Sequence, residues 1–213
     1  MPDSASLPGV RRLLIVRHGE SEWNRQGRWQ GWEDSALTAE GEAQARQRGA
    51  ELEAAGHRFV AVYTSDLMRA ARTADLLAAA LDVPAPVRDA QLRERFGGEW
   101  QGRTSEEIDA GWPGARAAWR RGDLAAPPGG ETDDVVLGRV RTALARIDEA
   151  SPAGSVLVVT HHGVVRQLST LAGVSARELI PNLGGRWFDL DGRGLHASEA
   201  LSPLAPLPDS AVE

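Results

Sequence analysis

Cysteine is absent from this chain of 213 residues. Disulfides, thiolate metal sites and cysteine-phosphatase chemistry are therefore excluded. Lysine is absent too: all 24 Lys-or-Arg positions are arginine. That removes Schiff-base catalysis and the phosphate loop whose lysine reaches a nucleotide. No apolar stretch approaches the roughly 18 residues that span a bilayer. The opening MPDSASLPGVRR has acid, proline and serine but no apolar signal-peptide region. A cytoplasmic chain without a membrane partner is the expectation. The net charge of −6 lacks the basic excess of a nucleic-acid binder, so no nucleic-acid partner is expected either. No internal repeat or long linker is present, and residues 1–213 read as one domain. Residues 1–9 and the Pro-rich 202–213 read as flexible tails. Homodimer formation stays open.

Apolar runs alternate with helical patterns between those tails. RLLIVR (12–17), VAVYTS (60–65) and SVLVVT (155–160) read as buried strands. LTAEGEAQARQRGAELEAAG (37–56) reads as a helix capped by Thr38, with Glu40 and Glu42 in its first turn and Gly56 closing it. Further helices are expected over 66–81, from Thr104 through its capping box with Glu107, over 133–149 and over 161–173. GRWFDLD and GLHASEAL read as a terminal strand pair. Strands separated by helices predict an α/β fold: a three-layer α/β/α sandwich around a mostly parallel sheet. Ligands bind beyond the carboxyl ends of such strands. RHG, SDLMR and HHG each follow one of the three buried strands, so chain-distant polar groups converge on one sheet edge.

Taken singly, each of those groups has an ordinary reading. Arg69 suits a solvated helix face, His161 a satisfied core imidazole, and Glu94 of LRERFGGEWQG a solvated loop. Glu20 and Ser21 read as a helix start whose free N–H groups face an anion. Together the groups fit phosphoryl transfer, which needs positioning and charge stabilisation. The guanidiniums of Arg17 and Arg69 offer planar donors to phosphoryl oxygens. A neutral imidazole at His18 can attack phosphorus and form a phosphohistidine. A carboxylic acid opposite it can protonate the leaving alkoxide and then activate water.

The motifs VRHGESEWN, GWEDSALTAEGEAQA, YTSDLMRAARTA, LRERFGGEWQG, PPGGET and VVTHHGVVR fall in one order over about residues 11 to 170. As a set they resemble the histidine phosphatase superfamily, also called phosphoglycerate-mutase-like. The resemblance implies that His18 accepts the phosphoryl group and that Arg17, Arg69 and His161 hold its charge. It implies Glu94 as acid/base and PPGGET as a segment closing over the substrate. Asn24, Gln30, Gly31 and His162 are read as further substrate contacts. The family usually has Gly where His162 stands, and often an acidic residue where Arg95 stands. No metal and no cofactor is expected, and the activity implied is that of a histidine acid phosphatase-type phosphomonoesterase acting on small metabolites.

Rival readings exist. DLDG (189–192) resembles the Asp-x-Asp loop of haloacid-dehalogenase phosphatases, but that chemistry expects a Lys, and a hairpin turn is the simpler reading. His161 and His162 are adjacent on one segment and converge poorly on an ion. A cofactor-dependent phosphoglycerate mutase is the nearest alternative. The Glu94–His161 span looks shorter than in true mutases, whose inserted segment shields the phosphoenzyme from water. A non-catalytic phosphate-binding relative is the remaining alternative. For the substrate, IDAGWPGARAAWRRGD places Arg116, Arg120 and Arg121 with Trp112 and Trp119. It resembles the same region of actinobacterial glucosyl-3-phosphoglycerate phosphatases, which implies a phosphorylated carboxylate or sugar-like metabolite. A solvated amphipathic helix is the plain alternative.

Overall fold

A computed structural model of the chain describes residues 10–175 and 180–205. Six strands form one sheet: β1 (Arg11–Arg17), β2 (Phe59–Thr64), β3 (Val87–Arg88), β4 (Ser155–Thr160), β5 (Gly185–Asp191) and β6 (Gly194–Ala200). Their order is β3-β2-β4-β1-β5-β6. The pairs from β3 to β1 are parallel, while β5 and β6 add antiparallel at the other edge. The hairpin expected at DLDG is present: Asp191 Oδ1 accepts from Arg193 N at 2.7 Å and Gly194 N at 3.1 Å.

The two central strands explain their own sequences. Leu13 to Val16 and Val156 to Val159 are all fully buried, as continuous apolar runs covered on both faces must be. Leu13, Ile15, Val156 and Val158 pack against α6 (Asp133–Ala150) and α7 (His162–Leu171). Leu14, Val16, Leu157 and Val159 pack against α2 (Ala39–Ala54) and α3 (Met68–Ala80) on the opposite face. Each such side chain contributes roughly 1.5–3 kcal/mol of transfer free energy. The result is the expected α/β/α sandwich. Among the described residues, no helix is long and apolar enough to cross a membrane.

The predicted caps form as read. Thr38 accepts from Gly41 N at 2.9 Å, and Thr104 and Glu107 make a reciprocal capping box at the start of α4 (Ser105–Gly111). Two starts differ. The helix expected from Asp66 begins at Met68, because the Asp66 carboxylate instead takes Arg93 Nε at 2.7 Å and Nη2 at 2.5 Å. The helix expected from Glu20 is a single turn, α1 (Glu22–Arg25). The two-residue β3 and the short α5 (Ala115–Arg121) gave no periodic signal.

Of the expected tails, residues 1–9 and 206–213 lie outside the described residues. Residues 202–205 are not a free tail. Arg48, buried on α2, donates to Ser202 O at 2.9 Å, and Gln47 Nε2 donates to Ala205 O at 3.0 Å. Leu201 and Leu204 pack on the core beside them. A buried guanidinium must find acceptors, and this segment supplies one.

Candidate active site

The parallel register pairs Arg17 with Thr160 at the carboxyl ends of β1 and β4. The next residue on each strand is therefore a histidine beside a histidine. The His18 and His161 rings meet edge to face at 5.2 Å between centroids. His18 N donates to Thr160 O at 2.9 Å, which locks the two strand ends together. Convergence on one sheet edge is thus realised for β1 and β4, and α3 delivers Arg69 after β2.

His18 is almost fully buried, and its Nδ1 lies 2.7 Å from the Gly19 carbonyl. A carbonyl only accepts, so Nδ1 carries the proton and Nε2 keeps its lone pair. Burial, and after it the charges of Arg69 and Arg17, holds the His18 imidazolium well below the usual histidine range. The His161 ring is lowered in the same way, by burial and then by Arg69 and His18. Both rings are neutral at physiological pH.

The two arginines are held by backbone carbonyls. Arg17 Nη1 donates to Ile180 O at 2.9 Å. Arg69 donates from Nη2 to Gly31 O at 2.8 Å and from Nη1 to Glu33 O at 2.9 Å, with Asp34 at 3.5 Å. Gly31 sits at φ +56, and an added Cβ would fall 2.1 Å from Gln101 Oε1, so that carbonyl is presented only by glycine. Burial lowers the Arg69 pKa to about 10, leaving it charged. Four buried nitrogens here, Arg17 Nε, Arg69 Nε and both ring nitrogens of His161, find no acceptor or donor among the described residues. An unsatisfied buried donor costs about 1–3 kcal/mol. Several at one spot make it a place where a polar ligand would be held.

Glu94 reaches the site from the loop before a 3-10 turn. Its Oε1 accepts from Arg95 N at 2.8 Å and its Oε2 from Gly163 N at 2.9 Å. The loop is braced from behind by Arg139 of α6. That guanidinium donates to the carbonyls of Gln91, Arg93 and Glu94 and to both oxygens of Glu131. Trp32 Nε1 also donates to Glu94 O, at 2.7 Å. A Cβ at Gly163 would stand 2.3 Å from Glu94 Oε1. Gly163→Ala is therefore expected to displace the carboxylate and cut kcat by about 10²-fold, the usual result of misplacing a reacting group by about 1 Å. A steady-state assay of phosphate release on an alkyl phosphate checks it, and an unchanged kcat contradicts it.

A cleft of about 360 Å³ opens over these groups, lined among others by Arg17, His18, Asn24, Gln30, Gly31, Arg69, Glu94 and His162. Every residue expected at the site lines it except His161, which is fully buried behind His18. Asn24 Oδ1 is held by Ser21 N at 3.3 Å and Asn182 Nδ2 at 3.3 Å. Gln30 Oε1 accepts from the Ser21 and Ser35 hydroxyls, both at 3.1 Å, which turns its amide nitrogen away from them. His162 Nδ1 lies 3.3 Å from Ile180 O. Its backbone has no positive φ, so a histidine is accommodated where the family usually has glycine.

Three expectations fail here. The N–H groups from His18 to Ser21 do not face an anion, because Thr160 O, Thr73 Oγ1, Gln44 Oε1 and Asn24 Oδ1 take them in turn. PPGGET does not line the cleft. It anchors the Glu94 loop, with Glu99 N donating to Pro128 O at 2.9 Å and Phe96 N to Glu131 Oε2 at 2.8 Å. Of the Trp–Arg segment, only Trp119 and Arg120 line the cleft. Arg116 pairs with Asp109, Arg121 with Asp123, and Trp112 lies under Arg103.

Sequence reasoning missed Asn182, which donates to His18 O at 3.0 Å. It also missed Arg28, Trp29, Arg95 and Arg166 on the cleft wall. The one-turn offset of Arg166 from His162 on α7 was the available signal, since residues four apart share a helix face.

The low pKa values have a consequence for pH. A histidine at its usual value of 6.5 loses its lone pair to protonation through that range; His18 does not. No acidic limb in kcat/KM with a midpoint near 6.5 is expected, and finding one that vanishes in a His18 variant would contradict the burial argument. Stability runs the other way. The unfolded chain takes up protons below about 6.5 that the folded one refuses, so stability falls as pH drops below that value. Urea unfolding at neutral and at mildly acidic pH measures the difference.

Comparison with known proteins agrees with this geometry. The family model "Histidine phosphatase superfamily (branch 1)" matches residues 13–184. Phosphoglycerate mutase-like protein 4 of Arabidopsis thaliana is 39% identical over 169 residues, covering 78% of this chain and 73% of its own length. A 2,3-bisphosphoglycerate-dependent phosphoglycerate mutase of Methylobacterium radiotolerans is 37% identical, with 81% and 84% covered. Among solved structures, mycobacterial glucosyl-3-phosphoglycerate phosphatase in complex with VO3 superposes with a TM-score of 0.76 at 30% identity, covering 92% of this chain and 100% of that one. The protein is thus a member of the histidine phosphatase superfamily, branch 1, an enzyme of its phosphatase or mutase kind.

Proposed function

We propose that this enzyme is a phosphatase, hydrolysing phosphomonoesters of small metabolites through a phosphohistidine on His18. The observation that carries the reading is the fixed tautomer of His18, whose Nδ1 is spent on Gly19 O while Nε2 keeps its lone pair beside half-buried Arg17 and buried Arg69. Nε2 attacks phosphorus in line, the P–O bond to the alcohol breaks, and a Glu94 proton goes to the departing oxygen. Water then gives a proton to the Glu94 carboxylate as its oxygen attacks phosphorus. The P–N bond breaks, inorganic phosphate leaves, and Glu94 is protonated again. Arg17 and Arg69 take the phosphoryl charge, while His161, outside the cleft lining, packs edge to face on the nucleophilic ring at 5.2 Å. Asn24, Gln30, Gly31 and His162 complete the wall. A chain without cysteine suits a cytoplasmic setting.

The names of the curated relatives favour a second reading, phosphoglycerate mutase. Hydrolysis is preferred because a cleft open to solvent lets water reach the phosphohistidine, whereas a mutase must exclude it. A panel of phosphorylated metabolites, followed both for free phosphate and for isomerised product, decides between them. Phosphate release without isomerisation is expected. Chelation by EDTA should leave the rate unaltered, since guanidinium and imidazole donors do the work of a metal. Isomerised phosphoglycerate as the main product would overturn the reading.

A further inference from the structure

The carbonyl that fixes the His18 tautomer belongs to the Gly19–Glu20 peptide, and the other side of that peptide is also held. Glu20 N donates to Gln44 Oε1 at 3.1 Å, across 24 residues of chain. Gln44 is half-buried on α2. Its second partner fixes its amide orientation: Nε2 donates to Glu40 Oε1 at 3.3 Å, and a carboxylate only accepts. The oxygen of Gln44 therefore faces Glu20 N. A trans peptide is planar, with N–H and C=O pointing opposite ways. Pinning the Glu20 N–H to α2 thus turns the Gly19 carbonyl toward His18 Nδ1, 2.7 Å away. His18, the peptide, Gln44 and Glu40 form a chain of hydrogen bonds running in one direction, each polarising the next.

Two glycines make the approach possible. A Cβ on Gly19 would fall 2.5 Å from Gly41 O, and one on Gly41 would fall 2.0 Å from Glu20 O. The loop and α2 touch backbone to backbone there, and Gln44, about one turn after Gly41, reaches Glu20 N. Thr73 holds the preceding peptide instead, accepting from Gly19 N at 3.0 Å.

We propose that Gln44 is a positioning residue for the nucleophile: through the Gly19–Glu20 peptide it keeps the His18 proton on Nδ1 and the lone pair on Nε2. This rests on the nucleophilic role given to His18 above. Gln44 does not line the cleft, so it acts through the peptide and not on the substrate. Without it, a peptide beside glycine is free to rotate, and the ring proton can sit on either nitrogen. A ring protonated at Nε2 offers phosphorus no lone pair.

The test is nitrogen NMR of protein carrying 15N-histidine, with the His18 signals assigned by their absence from His18→Ala. The wild-type protein at neutral pH should show one His18 tautomer, protonated on Nδ1. Gln44→Met keeps the length of the side chain and removes the acceptor, so signals of the Nε2-protonated ring should appear. Its kcat should fall about tenfold, the weight of one hydrogen bond. Calorimetry should find its Kd for inorganic phosphate unchanged, because backbone carbonyls outside this loop hold Arg17 and Arg69. Exchanging the pair, Glu40→Gln with Gln44→Glu, reverses the bond along α2 but keeps an oxygen toward Glu20 N. It should restore both the single tautomer and the rate. A wild-type tautomer and rate in Gln44→Met, equal losses of rate and phosphate affinity, or an exchange that restores neither overturns the assignment. The tautomer is read without substrate, so failure to find a phosphohistidine would sink the nucleophile reading and leave this measurement intact.

Discussion

His18→Ala is expected to abolish phosphate release, with a loss of about 10⁴-fold or more, as when a covalent nucleophile is deleted from its constellation. The remaining groups cannot substitute. The His161 ring is as neutral as His18, but it is enclosed behind it and does not line the cleft. The fold should survive, because the ring's hydrogen bond is to the carbonyl of its own neighbour, Gly19. The deletion opens a cavity against His161 but strands no distant partner. Labelled substrate provides the second readout. Wild-type protein quenched in base should carry label that acid removes, as a P–N bond demands, and His18→Ala should carry none. Label persisting in the variant would place the nucleophile elsewhere.

Glu94→Gln is the second large effect, and its size should depend on the leaving group. An alkyl phosphate needs a proton on the departing oxygen, so its hydrolysis should slow by about 10² to 10⁴-fold. p-Nitrophenyl phosphate leaves as a stable phenolate and should be slowed much less in its first step. Equal slowing of both substrates would refute the acid role. The substitution also has a structural side. Both Glu94 oxygens accept backbone N–H groups, from Arg95 and Gly163. A glutamine can accept only one of these through its carbonyl, at a cost of about 1–3 kcal/mol for the N–H left bare. Melting temperature must therefore be recorded beside the rates. A purely structural loss would depress both substrates together, which keeps the two explanations apart.

Much of this site could be read before any coordinates, for a physical reason. Parallel strands end on one edge, so VRHG and VVTHHG had to deliver His18 and His161 together once both runs were recognised as buried strands. Arg69 and Glu94 followed from matching the chemistry to the residues. The parts that stayed hidden depend on which way a side chain faces after packing. Trp112, Trp119, Arg116, Arg120 and Arg121 occupy one stretch, yet Asp109 and Asp123 draw two of the arginines off and only Trp119 and Arg120 reach the cleft. The brace from Arg139 to the carbonyls of Gln91, Arg93 and Glu94 joins segments 45 to 48 residues apart, and nothing local announces it. Asn182 is another such case. In the Ile180–Gly184 stretch, outside every motif of the set, Gly184 O accepts from Arg17 N at 2.9 Å and Asn182 donates to the His18 carbonyl at 3.0 Å.

β1 runs through the interior of the sheet, flanked by β4 on one side and β5 on the other, while the short β3 and the exposed β6 form the margins. Fraying starts at such margins, where fewer neighbours resist it. The reactive imidazole is therefore anchored in the last region to open. Partial melting of the sheet's periphery thus leaves the His18–His161 pair at its centre in place.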